Sequence, residues 1–457
     1  MNIRRWISPL FFLFALLQLA VSFVPGEFLN ATVSAMSCAI VVLMLVMARG
    51  TVRRTSALLL IAAIALLAAK GFRIGELAEA MRFYGNLTTL FLLTPLLSLP
   101  VEQGGFDRAM KTVLSRLGKK AAGYAAISTV LAFFTSIFLN IGSIGLIHAL
   151  TGRKEEKWIR VQGLSLQRGF AAAMLISPYS VAVAMILSSF GIAWIELFSV
   201  SAVMVVIFIA AHLAECFRTA RGNGDDAKMP GPPPGEELPD GKAAVKRLAV
   251  LALALALIIG CLLAAESATH YPMVTLVSVL SLAVPVLGFA AMGKMDRLWP
   301  AFRDQYWSAR LPGMGKEILL ILTAGCFAYA IQQSGASERL AEWASNGGGH
   351  AGMATLLLIH LFMLVFALVG FHPIIITSIM ISLLSSDSFG LPPLAAPAAL
   401  IGSWSLAIVF SPFSATTLVL SGLLRKSPAE IALVWNWRYT ALTLAAIVLF
   451  EYLFFFL

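Results

Sequence analysis

Long apolar runs separated by short polar links recur along this chain from one end to the other. A helix needs about 20 apolar residues to cross the hydrocarbon core. Barrel strands would instead alternate apolar and polar over about ten residues, and no such alternation occurs. The pattern predicts an all-α polytopic membrane protein with about 11 transmembrane helices. They fall near residues 7–24, 31–48, 56–69, 84–100, 169–190, 194–213, 247–265, 271–292, 317–333, 395–424 and 436–457. The first run, Ile7 to Val24, is long for a signal peptide and lacks an Ala-x-Ala site, so it reads as an uncleaved helix. Residues 121–151 and 352–386 do not read as single helices. These blocks of 31 and 35 residues are broken by Asn140-Ile141-Gly142-Ser143 and by Gly370-Phe371-His372-Pro373. Each predicts a re-entrant hairpin, because irregular backbone at membrane depth must be covered by protein or line a wet cavity.

Composition narrows the class. Of 457 residues, 59% are hydrophobic and 12% charged, against about 45–50% and about 25% in soluble domains. A cytosolic enzyme, a disordered chain and a disulfide scaffold are excluded. Cys38, Cys216, Cys261 and Cys326 have no CxxC spacing and read as packed small residues. The net charge of +10 would suggest nucleic acid in a soluble protein. Here it follows the inside loops of a membrane protein, so no nucleic-acid partner is expected.

Placing those charges orients the chain. Arg4 and Arg5 put the N-terminus inside, and the alternation then leaves the C-terminus outside. Lys119 and Lys120 precede the first broken block, and Arg153, Lys154, Lys157 and Arg160 follow it, so both its ends lie inside. No Lys or Arg occurs between Arg339 and Arg425, so the second block has both ends outside. The polar segment 217–246, with Pro230-Gly231-Pro232-Pro233-Pro234-Gly235, reads as a cytoplasmic linker.

The two halves share an order of parts. Gln103-Gly104-Gly105 and Gln333-Ser334-Gly335 each open an amphipathic stretch, Gly105 to Leu117 and Ser337 to Ser345. A broken block follows each, and then a helix interrupted by Ser-Pro-aromatic-Ser. Asn140 lies 35 residues after Gly105 and 37 before Ser177; His372 lies 37 after Gly335 and 39 before Ser411. Similar order with opposite charge flanks predicts inverted-topology repeats, whose interface holds the site in secondary transporters. The expected division is 1–83 scaffold, 84–213 first repeat, 214–246 linker, 247–316 scaffold and 317–457 second repeat.

Candidate chemistry sits at the breaks. A helix proline removes one backbone donor and frees a carbonyl. In Ser177-Pro178-Tyr179-Ser180 and Ser411-Pro412-Phe413-Ser414 the serines can satisfy that carbonyl, or carbonyls and hydroxyls can bind a cation while half-helix N-termini face an anion. Asn140, Gly142 and Ser143 form the first hairpin tip; Gly370, His372 and Pro373 form the second. His372 could carry a coupling proton, contact an anion or donate a hydrogen bond. Thr416 is included, with Thr135, Ser136, Thr377, Ser378 and Thr417 as weaker candidates. Na⁺ is placed, if anywhere, at Asn140, Ser177 and Ser411. His148, His212 and His360 read as structural. Glu266, Asp387 and Glu451 lie near predicted helix ends, leaving no carboxylate at a helix centre. That argues against a cation antiporter and suits an anionic substrate. No Walker A, HExxH or GxSxG motif is present, so the chain is not expected to be an enzyme.

Over about 84–213 and 317–457 the chain resembles the ion transporter superfamily, which includes divalent anion/sodium symporters, arsenite permeases and citrate carriers. Asn140 matches the asparagine of that family's Ser-Asn-Thr hairpin tip, flanked here by Leu139 and Ile141; the second tip reads Phe371-His372-Pro373. The two Ser-Pro motifs would take the unwound-helix positions. The resemblance implies a transport domain moving against a scaffold, often in homodimers. The reading is a secondary transporter of a small anion, an organic acid, coupled to H⁺ or Na⁺, with no other cofactor, in a bacterial inner membrane. An oxyanion efflux permease is the alternative, and a non-transporting scaffold or lipid-modifying protein is the competing class.

Overall fold

The computed structural model describes residues 4–71, 74–117, 121–151, 156–222, 240–336, 339, 342, 351–384 and 391–457. The flanking Lys119, Lys120, Arg153 and Lys154, residues 223–239 of the linker, Asp387 and most of the 337–345 stretch lie outside them. Among the described residues there are helices and no strands, and the chain is an integral membrane protein of all-α architecture.

Three apolar helices open the chain, α1 (Arg4–Phe23), α2 (Glu27–Met47) and α3 (Gly50–Ala69), followed by a short α4 (Ile74–Arg82). The helix expected over 84–100 is not continuous. α5 (Gly85–Leu93) tightens into a 3₁₀ turn at Thr94–Leu97, where Pro95 lacks a donor, and resumes as α6 (Ser98–Gln103). The amphipathic α7 (Phe106–Leu117) comes next.

The first hairpin is α8 (Ala121–Leu139) and α9 (Gly142–Thr151). The expected helix at 169–190 is two helices and begins earlier: α10 (Glu156–Met174), a break, and α11 (Val181–Phe190). Then come α12 (Trp194–Gly222), α13 (Gly241–Thr269), α14 (Met273–Ala291), short helical turns over 295–314, and α15 (Gly315–Ser334). The second hairpin is α16 (Ala351–Val369) and α17 (Pro373–Leu384). The second broken helix is α18 (Ala395–Phe410) and α19 (Ala415–Leu424), and α20 (Trp437–Phe455) follows.

Among the described residues, twelve helical segments are long and apolar enough to cross a membrane. Two of them, 122–139 and 352–369, are hairpin arms, and the broken α10–α11 is not among the twelve because α10 is polar. Setting the arms apart and adding the broken helix returns eleven crossings and two hairpins.

Buried apolar side chains gather into two cores. One joins α1–α4 to the 301–311 turns around Phe11, Phe14, Leu67 and Tyr306. The other joins the hairpins and broken helices around Tyr124, Phe170, Trp404 and Tyr439. α15 feeds both, sending Ile318, Leu319 and Leu322 to the first and Leu320, Ile321 and Ala324 to the second. Outward faces stay apolar, as Val46, Leu253, Leu257 and Leu358 show, which is what lipid contact requires.

The two halves pack alike. α8 lies along α10, and α16 lies along α18. A Cβ on Gly169 would stand 2.6 Å from the Thr129 carbonyl oxygen and 2.8 Å from Ala132 Cβ, so α10 reaches α8 only because Gly169 has no side chain. The halves also cross: α10 touches α18, α9 touches α19, and α11 touches α17.

Candidate functional site

The backbone explains both breaks. Pro412 has no N–H to give the carbonyl of Ile408, four residues earlier. Three side chains take its place: Ser414 Oγ donates to that oxygen at 2.7 Å, Thr416 Oγ1 at 3.3 Å and Gln167 Nε2 at 3.4 Å. Pro178 leaves the Met174 carbonyl free in the same way, and Ser180 Oγ approaches it at 3.5 Å. Ser180 and Ser414 then cap the next half-helices, accepting from the Val183 and Thr417 amides, each at 3.2 Å. The last serine of each motif thus does the same two jobs. Ser177 is buried, and the Tyr179 hydroxyl is buried with no hydrogen-bond partner among the described residues.

The second hairpin tip meets the second break. Ser411 Oγ donates to the Ala367 carbonyl at 2.6 Å. Gly370 sits at φ 101°, a conformation that favours glycine, and a Cβ there would press Phe413 at 3.3 Å. His372 caps α17: its Nδ1 accepts from the Ile374 amide at 3.2 Å, and Pro373 holds the first helical position. An accepting Nδ1 assigns the ring as neutral with its proton on Nε2.

At the first tip Asn140 adopts φ 49°, a left-handed conformation that asparagine tolerates better than most residues. Its side chain is exposed, and its amide has no hydrogen-bond partner among the described residues. Ser143 Oγ donates to the Asn140 carbonyl at 2.7 Å and meets Ser136 Oγ at 2.7 Å, which locks the turn. Gly142 is exposed, with open space where a Cβ would be. Thr135 bonds within its own helix, to the Leu131 carbonyl, and Ser378 to that of Ile374. Thr377 Oγ1 lies 3.6 Å from Met363 Sδ. The second tip and break are therefore joined directly. The first tip meets the other half through α9, which touches α19; no hydrogen bond joins the Asn140 side chain to another candidate among the described residues.

A buried polar network lies where an inside loop and helix start were expected. The middle turns of α10 bury Gln162, Ser165, Gln167 and Arg168. Arg168 Nη1 donates to Glu215 Oε2 at 2.7 Å and to His212 Nδ1 at 3.0 Å, its Nε donates to Asn436 Oδ1 at 2.9 Å, and its guanidinium lies 4.0 Å from the Tyr439 ring centroid. Gln167 Nε2 donates to Thr417 Oγ1 at 2.9 Å, and its Oε1 accepts from Asn436 Nδ2 at 3.0 Å. These bonds tie α10 of the first half to α12, to the second break and to the start of α20.

A second group corrects the expectation of a helix interior without carboxylates. Glu451 lies near the end of α20, as its position suggests, but its side chain is 0% exposed. His360 Nε2 lies 2.8 Å from Glu451 Oε2, and His360 Nδ1 lies 2.6 Å from Ser403 Oγ.

No family model matches the chain, and no curated protein matches it. Among solved structures it is similar to the YdaH transporter of Alcanivorax borkumensis, at 16% identity over 81% of this chain and 86% of that one, with a TM-score of 0.53. It also aligns with MtrF of Neisseria gonorrhoeae, described as illuminating a class of antimetabolite efflux pumps, at 14% identity over 88% and 95% of the two chains and a TM-score of 0.49. The likeness to YdaH is one of fold.

Proposed function

We propose that this chain is a secondary active transporter that moves a small anion, an organic acid, across the bilayer by alternating access of its inverted repeats, coupled to H⁺ or Na⁺. The observation that carries this reading is the crossed packing of two broken helices with the hairpin arms of the opposite halves, α9 on α19 and α11 on α17. A scaffold has no use for two crossed, proline-broken helices. A transporter needs such elements, because half-helix N-termini aim partial positive charge at an anion within the membrane.

In this reading the Asn140 amide, the α9 start at Gly142 and Ser143, and the His372 Nε2–H donate to the anion. Gly370, Pro373 and Pro412 set the backbone that presents them. Ser177, Pro178, Ser180, Ser411, Ser414 and Thr416 supply the hydroxyl and carbonyl oxygens a coupling Na⁺ would use. The sequence resemblance to the ion transporter superfamily belongs to the same proposal. So do the first hairpin opening inside, an N-terminus inside a bacterial inner membrane and a homodimeric assembly. The YdaH likeness supports a transporter fold and leaves the substrate open.

Reconstitution of the full chain into liposomes tests the proposal. Saturable, gradient-dependent flux of citrate or succinate is expected. Flux of arsenite alone would transfer the reading to an oxyanion permease. Absence of saturable flux for all three, across Na⁺ and pH gradients, would refute it.

A further inference from the structure

His360, Ser403 and Glu451 come from three helices, α16, α18 and α20, and meet where no water-facing surface exists: the His360 and Glu451 side chains are 1% and 0% exposed. Neither helix of the second hairpin nor α18 carries another ionisable side chain among the described residues. On α20 the nearest basic group is Arg438, 13 residues before Glu451 and so about 20 Å away along the helix. Tyr439 lies at that same far end, and the neighbouring Tyr452 is exposed. On α12, which packs on both α18 and α20, Glu196 is exposed and accepts from the Ala193 amide of its own helix start; His212 and Glu215 are engaged by Arg168. Among the described residues, no Lys or Arg is ion-paired or hydrogen-bonded to Glu451.

His360 Nε2 lies 2.8 Å from Glu451 Oε2, and His360 Nδ1 lies 2.6 Å from Ser403 Oγ. In the tautomer with the proton on Nε2, His360 donates to Glu451 and accepts from Ser403, and the imidazole is neutral. An ionised Glu451 then leaves the group with one net negative charge in the membrane interior, an unfavourable state. Its second oxygen, Oε1, is buried and has no hydrogen-bond partner among the described residues. One proton on Oε1 brings the group to neutrality without breaking any of the other bonds.

The location gives that proton leverage. His360 and Ser403 form one rung between α16 and α18, and Ala367 and Ser411 form the next, seven and eight residues along. At 1.5 Å per residue the rungs are about 11 Å apart. Glu451 stands outside this pair, on α20. A charge change at Glu451 therefore acts on the contact between the last helix and the very helices that carry the second tip and break.

We propose that His360 and Glu451 form a buried proton-exchange site whose single proton is the coupling ion. The role as coupling ion rests on the transporter reading; the exchange itself does not. The proton arrives from bulk water, forms the O–H bond at Glu451 Oε1, and leaves by the same bond breaking to water on the other side of the cycle. No electron transfer is involved.

Two readouts separate the site from the transport reading. The first is ligand-free infrared difference spectroscopy of the full chain in liposomes between alkaline and acid buffers. The wild type is expected to gain a protonated-carboxyl band that Glu451→Gln lacks. His360→Asn should keep the band but change the pH at which it appears, and serves alone if Glu451→Gln does not fold. Identical bands in wild type and variants would overturn the proposal. The second is proton movement into liposomes driven by a citrate or succinate gradient, followed by a trapped pH dye. Wild type should co-transport protons, while Glu451→Gln should exchange the anion across the membrane yet move protons only at background. Unchanged proton movement in Glu451→Gln would overturn the coupling role. If the wild type moves neither anion, the transporter reading and the coupling role fail together, and the infrared bands alone decide the exchange site.

Discussion

Asn140 offers the sharpest test of the binding site, because its backbone and its side chain make separable demands. The residue stands at φ 49°, with its amide exposed and unpartnered among the described residues. Alanine at that dihedral costs roughly 1–2 kcal/mol, whereas glycine adopts it freely. Asn140→Gly therefore keeps the turn and removes only the amide. Stability should change by less than about 1 kcal/mol, since no protein hydrogen bond is lost. If the amide donates to an anion, losing that charge-assisted bond costs roughly 1.5–3 kcal/mol, or about 10- to 100-fold in affinity. The assay pairs thermal unfolding of the detergent-solubilised protein with citrate and succinate uptake into liposomes. Asn140→Gly should unfold within a few degrees of wild type and lose uptake by at least about ten-fold at subsaturating anion. Wild-type uptake by Asn140→Gly, with Asn140→Ala merely less stable, would reduce the residue to a turn former and remove the first tip from the site.

Four further outcomes follow from named contacts. Arg168→Met takes the guanidinium away from Glu215 and Asn436 and should destabilise the fold by roughly 3–5 kcal/mol, with Arg168→Met/Glu215→Gln recovering part of it, as thermal unfolding will show. Gly169→Leu drives side-chain atoms into the Thr129 carbonyl and Ala132 and should cost at least about 1–3 kcal/mol, read as lower yield of monodisperse protein. His372→Asn should retain the α17 cap while His372→Ala loses about 1 kcal/mol, so equal stability of the two variants would show the cap to be idle. In a cysteine-free background, Ala122→Cys and Leu150→Cys should react with impermeant reagent from the same side of the membrane; opposite sides would abolish the first hairpin as a re-entrant element.

Much of the fold was legible because its determinants are local. A proline removes its own donor wherever it stands, so Pro178 and Pro412 marked breaks that occur within a residue or two of where the motifs lie. Asn140 and Gly370 marked the two hairpin tips, where both adopt positive φ. Length and apolarity marked the spans. The start of α10 was misjudged because hydropathy counts Gln162, Gln167 and Arg168 as loop residues, although their side chains are buried in the protein.

What the sequence determined by itself, then, is the list of helices, the two hairpins and the places where backbone bonds must fail. Which groups meet was decided only in three dimensions. Gln167 and Thr417 lie 250 positions apart, Arg168 and Asn436 lie 268 apart, and His360 and Glu451 lie 91 apart. No local pattern encodes such pairings. Hydropathy ranks a residue by its own cost in lipid, whereas packing decides whether a partner offsets that cost. Glu451 read from the chain as a polar residue near a helix end. In the fold it is a buried side chain enclosed by two other helices, with one oxygen against His360 and the other without a hydrogen-bond partner among the described residues.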